Sequence, residues 1–117
     1  MATETTINLP EDLRQALDKA VEAIVEIAHP QLIILFGSWA EGTAREDSDV
    51  DLLVVAETEE KVRLAMALRR ALRPMLGERD FDLVIAPAQD WPRARGIIGM
   101  IPYEADNFGA RLYERAA

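Results

Sequence analysis

The stretch GSWAEGTAREDSDVDLLVV, residues 37–55, places a glycine–serine turn and three alternating aspartates directly before an apolar run. The aspartates are Asp47, Asp49 and Asp51, and the run that follows has the length and β-branched content of a buried strand. A carboxylate against a buried strand costs several kcal/mol unless something compensates its charge. The stretch therefore predicts a buried strand whose beginning carries a functional site.

The composition favours one ordinary globular domain. The 117 residues are 50% hydrophobic, which is enough for one core, and no apolar run approaches the roughly 20 residues that a membrane span needs. The opening MATETTINLP is polar and acidic, unlike a secretory signal. Cysteine is absent, which excludes disulfides and thiolate metal ligands. We therefore expect a single cytoplasmic domain over residues 1–117 without a membrane partner.

The charge of the chain narrows the classes of partner. The formal net charge is −8, from 21 acidic and 13 basic residues. A chain this acidic repels nucleic-acid phosphates over much of its surface, so direct binding of nucleic acid is not expected. A basic protein partner or a metal-chelated nucleotide is easier to reconcile with the negative charge.

Apolar periodicity predicts alternating helices and strands around the quoted stretch. Helical spacing predicts a first helix over residues 10–28. It also predicts a second helix, which begins after Thr58 as its cap and ends at Pro74 and Gly77. A further helix is expected near residues 103–108. Short apolar runs predict four strands, over residues 31–37, 49–56, 80–86 and 110–114. This alternation indicates an α/β or α+β domain with a mixed sheet flanked by helices.

The carboxylates at the second and third strands are suited to share one site. Side chains two residues apart on a strand point to the same face, so Asp49 and Asp51 project together, with Cα atoms about 6–7 Å apart. Asp82 in FDLVI matches Asp51 in VDLLV, and it would face Asp51 if the two strands are neighbours. Asp80 lies two residues before Asp82 and would point to the same face of the strand, so the strand pattern alone does not decide between Asp80 and Asp82. We favour Asp82 because it lies deeper in the apolar run.

The kinds of residue at this site indicate a metal ion and a phosphate. Converging carboxylates repel one another unless one is protonated or a cation lies between them, and oxygen-only ligands suit Mg²⁺ or Mn²⁺. Three carboxylates can hold two ions about 3.5–4 Å apart, the arrangement that serves in-line phosphoryl displacement. Gly37 lets backbone approach a ligand, and Ser38 offers a hydroxyl and an N–H where a short helix would begin. Together these features indicate a Mg²⁺-nucleotide site.

The segment GSWAEGTAREDSDVDLLV resembles the signature of the polymerase-β-like nucleotidyltransferases, Gly-Ser followed by Asp-x-Asp. The short chain is similar to the minimal nucleotidyltransferase group of that superfamily. The similarity is strong over residues 35–55, fair over residues 81–85, and extends to the closing segment IPYEADNFGARLYE. The resemblance implies a mixed sheet flanked by helices. It also implies transfer of a nucleoside monophosphate, AMP above all, from an NTP to an acceptor hydroxyl, with release of pyrophosphate.

The resemblance also implies roles for individual residues. Gly37 and Ser38 would hold the triphosphate as the nucleotide-binding turn. The catalytic, metal-binding carboxylates would be Asp49, Asp51 and Asp82, with two Mg²⁺ ions as the expected cofactors. Of these carboxylates, Asp82 would also help to activate the acceptor.

One departure from the pattern and one recurrent partner bear on the function. Members of the superfamily often have arginine where this chain has Glu41, which removes a positive charge near the phosphates and bears on activity rather than on the fold. Minimal members often act as antitoxins to a HEPN ribonuclease, in some cases by adenylylating a tyrosine on it. We therefore expect ATP or another NTP as substrate and a HEPN-domain protein as partner. The alternative is a binding module that neutralises its partner by contact, with little catalysis.

Overall fold

The computed structural model describes residues 7–116, and this part of the chain folds into five helices and four strands. In chain order they are α1 (Glu11–Ala28), β1 (Leu32–Phe36), α2 (Ser38–Glu41), β2 (Val50–Ala56), α3 (Lys61–Leu76), β3 (Phe81–Pro87), α4 (Trp91–Ala94), α5 (Ile101–Phe108) and β4 (Ala110–Glu114). Within this range every helix is too short or too polar to cross a lipid bilayer.

The four strands form one mixed sheet in the order β3-β2-β1-β4. Strand β1 pairs antiparallel with both β2 and β4, whereas β2 and β3 run parallel. A parallel pair needs a crossover connection, and α3 supplies it. The predicted mixed sheet is therefore confirmed, and the second and third strands are neighbours, which is the condition under which Asp82 faces Asp51.

Helices cover both faces of the sheet. On one face, α1 and α3 bury Leu13 and Leu68 against the strands. On the other face, Trp91 of α4 and Ala105 of α5 are buried over the same strands. Burial from both sides explains why β1 and β2 are almost continuously apolar. Asp51 departs from this rule, because it is partly exposed on the α4–α5 face at the beginning of β2.

The structure differs from the sequence prediction at the two ends of α3. The helix begins at Lys61, and Thr58 does not cap it; the Thr58 hydroxyl instead accepts a hydrogen bond from the N–H of Glu60 in the preceding turn. The helix continues through the exposed Pro74 and ends at Gly77, where φ is +62°. The four-residue helix α4 was not predicted, because it is too short to show apolar periodicity.

Candidate active site

The predicted carboxylates come together at one end of the sheet, where β1 ends and where β2 and β3 begin. Asp51 is the second residue of β2, Asp82 is the second residue of β3, and the parallel register pairs them directly. Their side chains therefore share one face of the sheet, on strands that lie about 4.8 Å apart. Asp49 lies just before β2, close enough for its charge to act on Asp51. The site thus joins a pair of facing carboxylates on neighbouring strands with a third from the residue before β2.

The register also distinguishes Asp82 from Asp80. Asp80 lies before β3, and its backbone oxygen accepts a hydrogen bond of 2.9 Å from the N–H of Val50. Its neighbours in space line a separate cleft that includes Arg79. Asp82 is therefore the residue that faces Asp51, while its function as third carboxylate stays a prediction.

The electrostatics of the site are dominated by uncompensated negative charge. Burial raises the pKa of the Asp51 carboxyl from 3.8 to about 6, and the charges of Asp82 and Asp49 and a hydrogen bond with Asp82 act in the same direction. None of the ion pairs within residues 7–116 includes any of these three aspartates. The negative charge gathered at the site therefore favours a bound cation.

This raised pKa predicts a measurable dependence of stability on pH. A carboxyl with a raised pKa in the folded state stabilises the fold below its unfolded pKa, near 3.8, and that contribution is lost as the pH rises through about 6. We expect Asp51→Asn to remove this loss and to raise stability at neutral pH by roughly 1 kcal/mol, after allowance for solvent screening. Thermal melts of the apoprotein across this pH range measure the effect, with Asp47→Asn, at an exposed aspartate of the loop before β2, as the control. Parallel stability curves for Asp51→Asn and the wild type would contradict the assignment.

The donor set fits a hard divalent cation. Carboxylate oxygens are the ligands that Mg²⁺ takes, and it commonly uses one or two of them together with substrate phosphates. A cation held by Asp51 and Asp82 would relieve the repulsion between their charges. Among residues 7–116, no three His, Cys, Asp or Glu side chains already form a metal-binding cluster.

The Gly37–Ser38 turn lies directly against the Asp51 carboxylate. Gly37 joins β1 to α2 with φ +76° and ψ −156°, a conformation that is essentially restricted to glycine. Its α carbon packs so closely on Asp51 that an added Cβ would overlap the Oδ2 atom. Ser38 begins α2 with a half-buried side chain. The turn thus brings backbone next to the Asp51 carboxylate, with the Ser38 hydroxyl on the following residue, and nucleotide binding by Gly37 and Ser38 stays a prediction.

Trp39 holds the loop between α2 and β2 in place. Its ring is buried, and its Nε1–H donates a hydrogen bond of 3.0 Å to the backbone oxygen of Ser48. The guanidinium of Arg79 lies over the ring, 5.8 Å from its centroid. Within the loop, the Ser48 hydroxyl accepts a hydrogen bond of 2.7 Å from the N–H of Arg45. These contacts fix the segment that leads into Asp49, so Trp39 acts as a packing residue that positions this loop.

Comparison with known families agrees with this geometry. The chain matches the family described as "Polymerase beta, Nucleotidyltransferase" over residues 8–99. The match covers most of the chain, including the Gly37–Ser38 turn and the three carboxylates. The protein therefore belongs to this nucleotidyltransferase family.

Individual relatives narrow the comparison to small members of the family. A candidate protein adenylyltransferase of Methanocaldococcus jannaschii is 36% identical over 97 residues, 71% of this chain and 65% of that protein, so less than two thirds of the relative is matched. The structure of a candidate minimal nucleotidyltransferase is 28% identical, with a TM-score of 0.63 over 86% of this chain and 92% of that chain. A crystal structure of a toxin–antitoxin with AMP-PNP is 25% identical, with a TM-score of 0.51 over 84% of this chain and 73% of that chain. The predicted resemblance to the minimal nucleotidyltransferases is thereby confirmed.

Proposed function

We propose that this protein is a Mg²⁺-dependent nucleotidyltransferase that moves AMP from ATP to a hydroxyl group on a HEPN-type toxin partner. The observation that carries the proposal is the direct pairing of Asp51 with Asp82, with Asp49 beside them and Gly37 packed on the Asp51 carboxylate. The relative named as a candidate protein adenylyltransferase supports a protein acceptor. The toxin–antitoxin neighbour with AMP-PNP supports ATP as the donor and a toxin as the partner.

In the proposed reaction the acceptor oxygen becomes bonded to the α-phosphorus of ATP. As that bond forms, the bond from the α-phosphorus to the oxygen that bridges to the β-phosphate breaks, and its electron pair leaves with pyrophosphate. Asp82 is the exposed carboxylate of the facing pair, so we assign it to receive the proton of the acceptor hydroxyl, directly or through a water.

The other residues of the site bind and orient the nucleotide. Asp49 and Asp51, with Asp82, would hold Mg²⁺, which when bound neutralises charge on the triphosphate and on the departing pyrophosphate. The Ser38 hydroxyl and the backbone at the beginning of α2 would orient the phosphates. A cytoplasmic location, where ATP and a toxin partner are both available, is part of the same proposal.

Nucleotide binding can be tested without a partner. Mg²⁺ with ATP is expected to raise the melting temperature by roughly 5–10 °C when the ligand is well above its Kd, because binding to the folded state adds about 2–3 kcal/mol. The double variant Asp49→Asn/Asp51→Asn is expected to lose this shift. An equal shift in the double variant, or none in the wild type at millimolar ligand, would place the nucleotide elsewhere.

Transfer itself is tested with the co-encoded partner protein. Incubation with radiolabelled ATP and Mg²⁺ is expected to label the partner, and mass spectrometry is expected to find an added AMP on a hydroxyl side chain. Activity of the toxin is measured on the same samples, so that modification and neutralisation can be compared. If the partner remains unlabelled and fully toxic, the proposed function is wrong.

Glu41 favours a second candidate function, neutralisation by contact. The residue is exposed at the end of α2, beside the turn that would hold the phosphates, and its negative charge opposes theirs. If the wild type silences its partner without adding AMP even after long incubation, the contact-only function is the correct one. Glu41→Arg then serves as a gain-of-function test, because it restores the charge that the family often carries there.

A further inference from the structure

Helix α3 carries an unusual concentration of positive charge for a chain with a net charge of −8. All five charged residues between Lys61 and Leu76 are basic, namely Lys61, Arg63, Arg69, Arg70 and Arg73. The opposite side of the helix buries leucines in the core, so the cations line its outer side. Nothing in the proposed reaction uses this surface, since the carboxylates lie on the other face of the sheet.

The outer side of α3 runs along the edge of β3 in the opposite direction. The Arg73 guanidinium lies 4.6 Å from the centroid of the Phe81 ring, and Arg69 Nη2 donates a hydrogen bond of 3.4 Å to the backbone oxygen of Leu83. Backbone groups alternate in direction along a strand, so the N–H and C=O groups of Phe81, Leu83 and Ile85 point away from β2. They point toward the space beside α3.

A groove follows this edge. In the described part of the chain, β3 pairs with β2 alone and its other edge is free. The groove between that edge and α3 has a volume of about 370 Å³, and we call it the α3–β3 groove. Its apolar lining includes Val62 and Met66, which are 72% and 59% exposed, and its charged lining residues are Lys61 and Arg69. An unpaired strand edge, exposed apolar side chains and positive charge therefore occur together.

We propose that the α3–β3 groove binds an extended, acidic segment of a partner protein, which pairs with the free edge of β3 as a fifth strand. Alternate side chains of an added strand would face α3, where apolar groups meet Val62 and Met66 and carboxylates meet Lys61 and Arg69. A carboxylate is a stronger partner for Arg69 than the Leu83 carbonyl is. The exchange would free that carbonyl to accept a hydrogen bond from the added strand.

The same features argue against other occupants. A nucleic acid would meet the cations of α3, but Glu59 and Glu60 lie at the beginning of the same surface, and the whole chain is acidic. A peptide needs only the local charge, and it supplies the backbone groups that an edge strand pairs with. The α3–β3 groove lies apart from the carboxylates, so peptide binding there does not depend on the proposed transfer reaction.

The first test is selection from a phage-displayed library of short random peptides against the whole chain. We expect the selected sequences to alternate acidic with apolar or β-branched residues. A selected peptide is then synthesised with a fluorescent label, and its Kd is measured by polarisation. Arg69→Glu is expected to weaken binding about tenfold or more, because it reverses a charge beside an acidic ligand. Lys19→Glu makes the same change of charge on the exposed surface of α1 and is expected to leave the Kd unchanged.

Further measurements keep the result from depending on one variant. If Arg69→Glu no longer melts cooperatively, Val62→Glu replaces it, because that side chain is 72% exposed. The peptide is expected to slow hydrogen exchange at the amides of Leu83 and Ile85 about tenfold or more, and a peptide N-methylated at alternate residues is expected to bind poorly. Asp82→Asn is expected to bind the peptide like the wild type, so failure of the proposed function leaves this result intact.

Several outcomes would overturn the proposal. Selection of basic peptides, or of peptides without a shared pattern, would show that the groove does not bind an acidic strand. Equal weakening by Arg69→Glu and Lys19→Glu would show a general effect of charge rather than a site. If single-stranded DNA binds more tightly than the selected peptide, and Arg69→Glu abolishes this DNA binding, the groove is a nucleic-acid site. A wild-type dimer that Val62→Glu converts to a monomer in sedimentation experiments would assign it to a second copy of this chain.

Discussion

Asp82→Asn is expected to retain ATP binding and to lose AMP transfer by about a thousandfold, within the range that a positioned general base contributes. In the proposed reaction Asp49 and Asp51 would still hold Mg²⁺ and the nucleotide in this variant, so the substitution would remove an interaction that matters mainly in the transition state. Calorimetry of ATP binding and the rate of AMP addition to the partner protein measure the two effects separately. The expected pattern is a small change in Kd with a large fall in kcat.

The matched control for this prediction is Asp80→Asn. It makes the same chemical change two residues earlier, at an exposed side chain that precedes β3 and does not pair with Asp51. We expect Asp80→Asn to transfer at nearly the wild-type rate. If Asp82→Asn transfers as fast as the wild type and Asp80→Asn does not, the third carboxylate is Asp80. If both transfer normally, the acceptor proton leaves by another route.

The strands and the proximity of the carboxylates could be predicted because buried strands have a recognisable, almost continuously apolar sequence. Strands covered on both faces are almost continuously apolar, so an aspartate such as Asp51 or Asp82 stands out within them. Their shared setting, VDLLV and FDLVI, suggested the register that the parallel pair adopts. Which residue of β3 faces Asp51 nevertheless required the structure, because Asp80 and Asp82 have the same parity.

The remaining details depend on contacts that a local pattern does not contain. Pro74 was expected to end α3, but it is exposed, and the helix continues past it to Leu76, which is buried in the core. Helix α4 is one turn long, and it is held in place by the burial of Trp91 rather than by any periodicity of its own. The charge of the α3–β3 groove is visible in the sequence, but its position beside a free strand edge follows only from the order of the strands.

Gly37→Ala is expected to reduce AMP transfer by about a hundredfold and to destabilise the fold by roughly 2–4 kcal/mol. The backbone at Gly37, with φ +76° and ψ −156°, lies in a region that alanine adopts only with strain. The added Cβ would also overlap the Asp51 carboxylate and force it out of position. Thermal melts and transfer rates of the same preparation measure both effects. A variant that transfers normally would show that the close packing of Gly37 on Asp51 does not matter for catalysis.

Two further variants separate strain in the backbone from displacement of the carboxylate. Gly42→Ala also introduces a Cβ at positive φ, +80°, but nothing lies within 4 Å of the added atom, so it should cost only about 1 kcal/mol and leave transfer unchanged. In an Asp51→Ala background the overlapping carboxylate is absent, so Gly37→Ala should then cost only the strain of its own backbone conformation, roughly 1–3 kcal/mol, and less than it costs in the wild type. The difference between the two backgrounds is the coupling energy of Gly37 and Asp51. A coupling near zero would mean that the glycine is required by the turn alone, whereas a coupling of roughly 1–2 kcal/mol would mean that the turn is shaped to receive the Asp51 carboxylate.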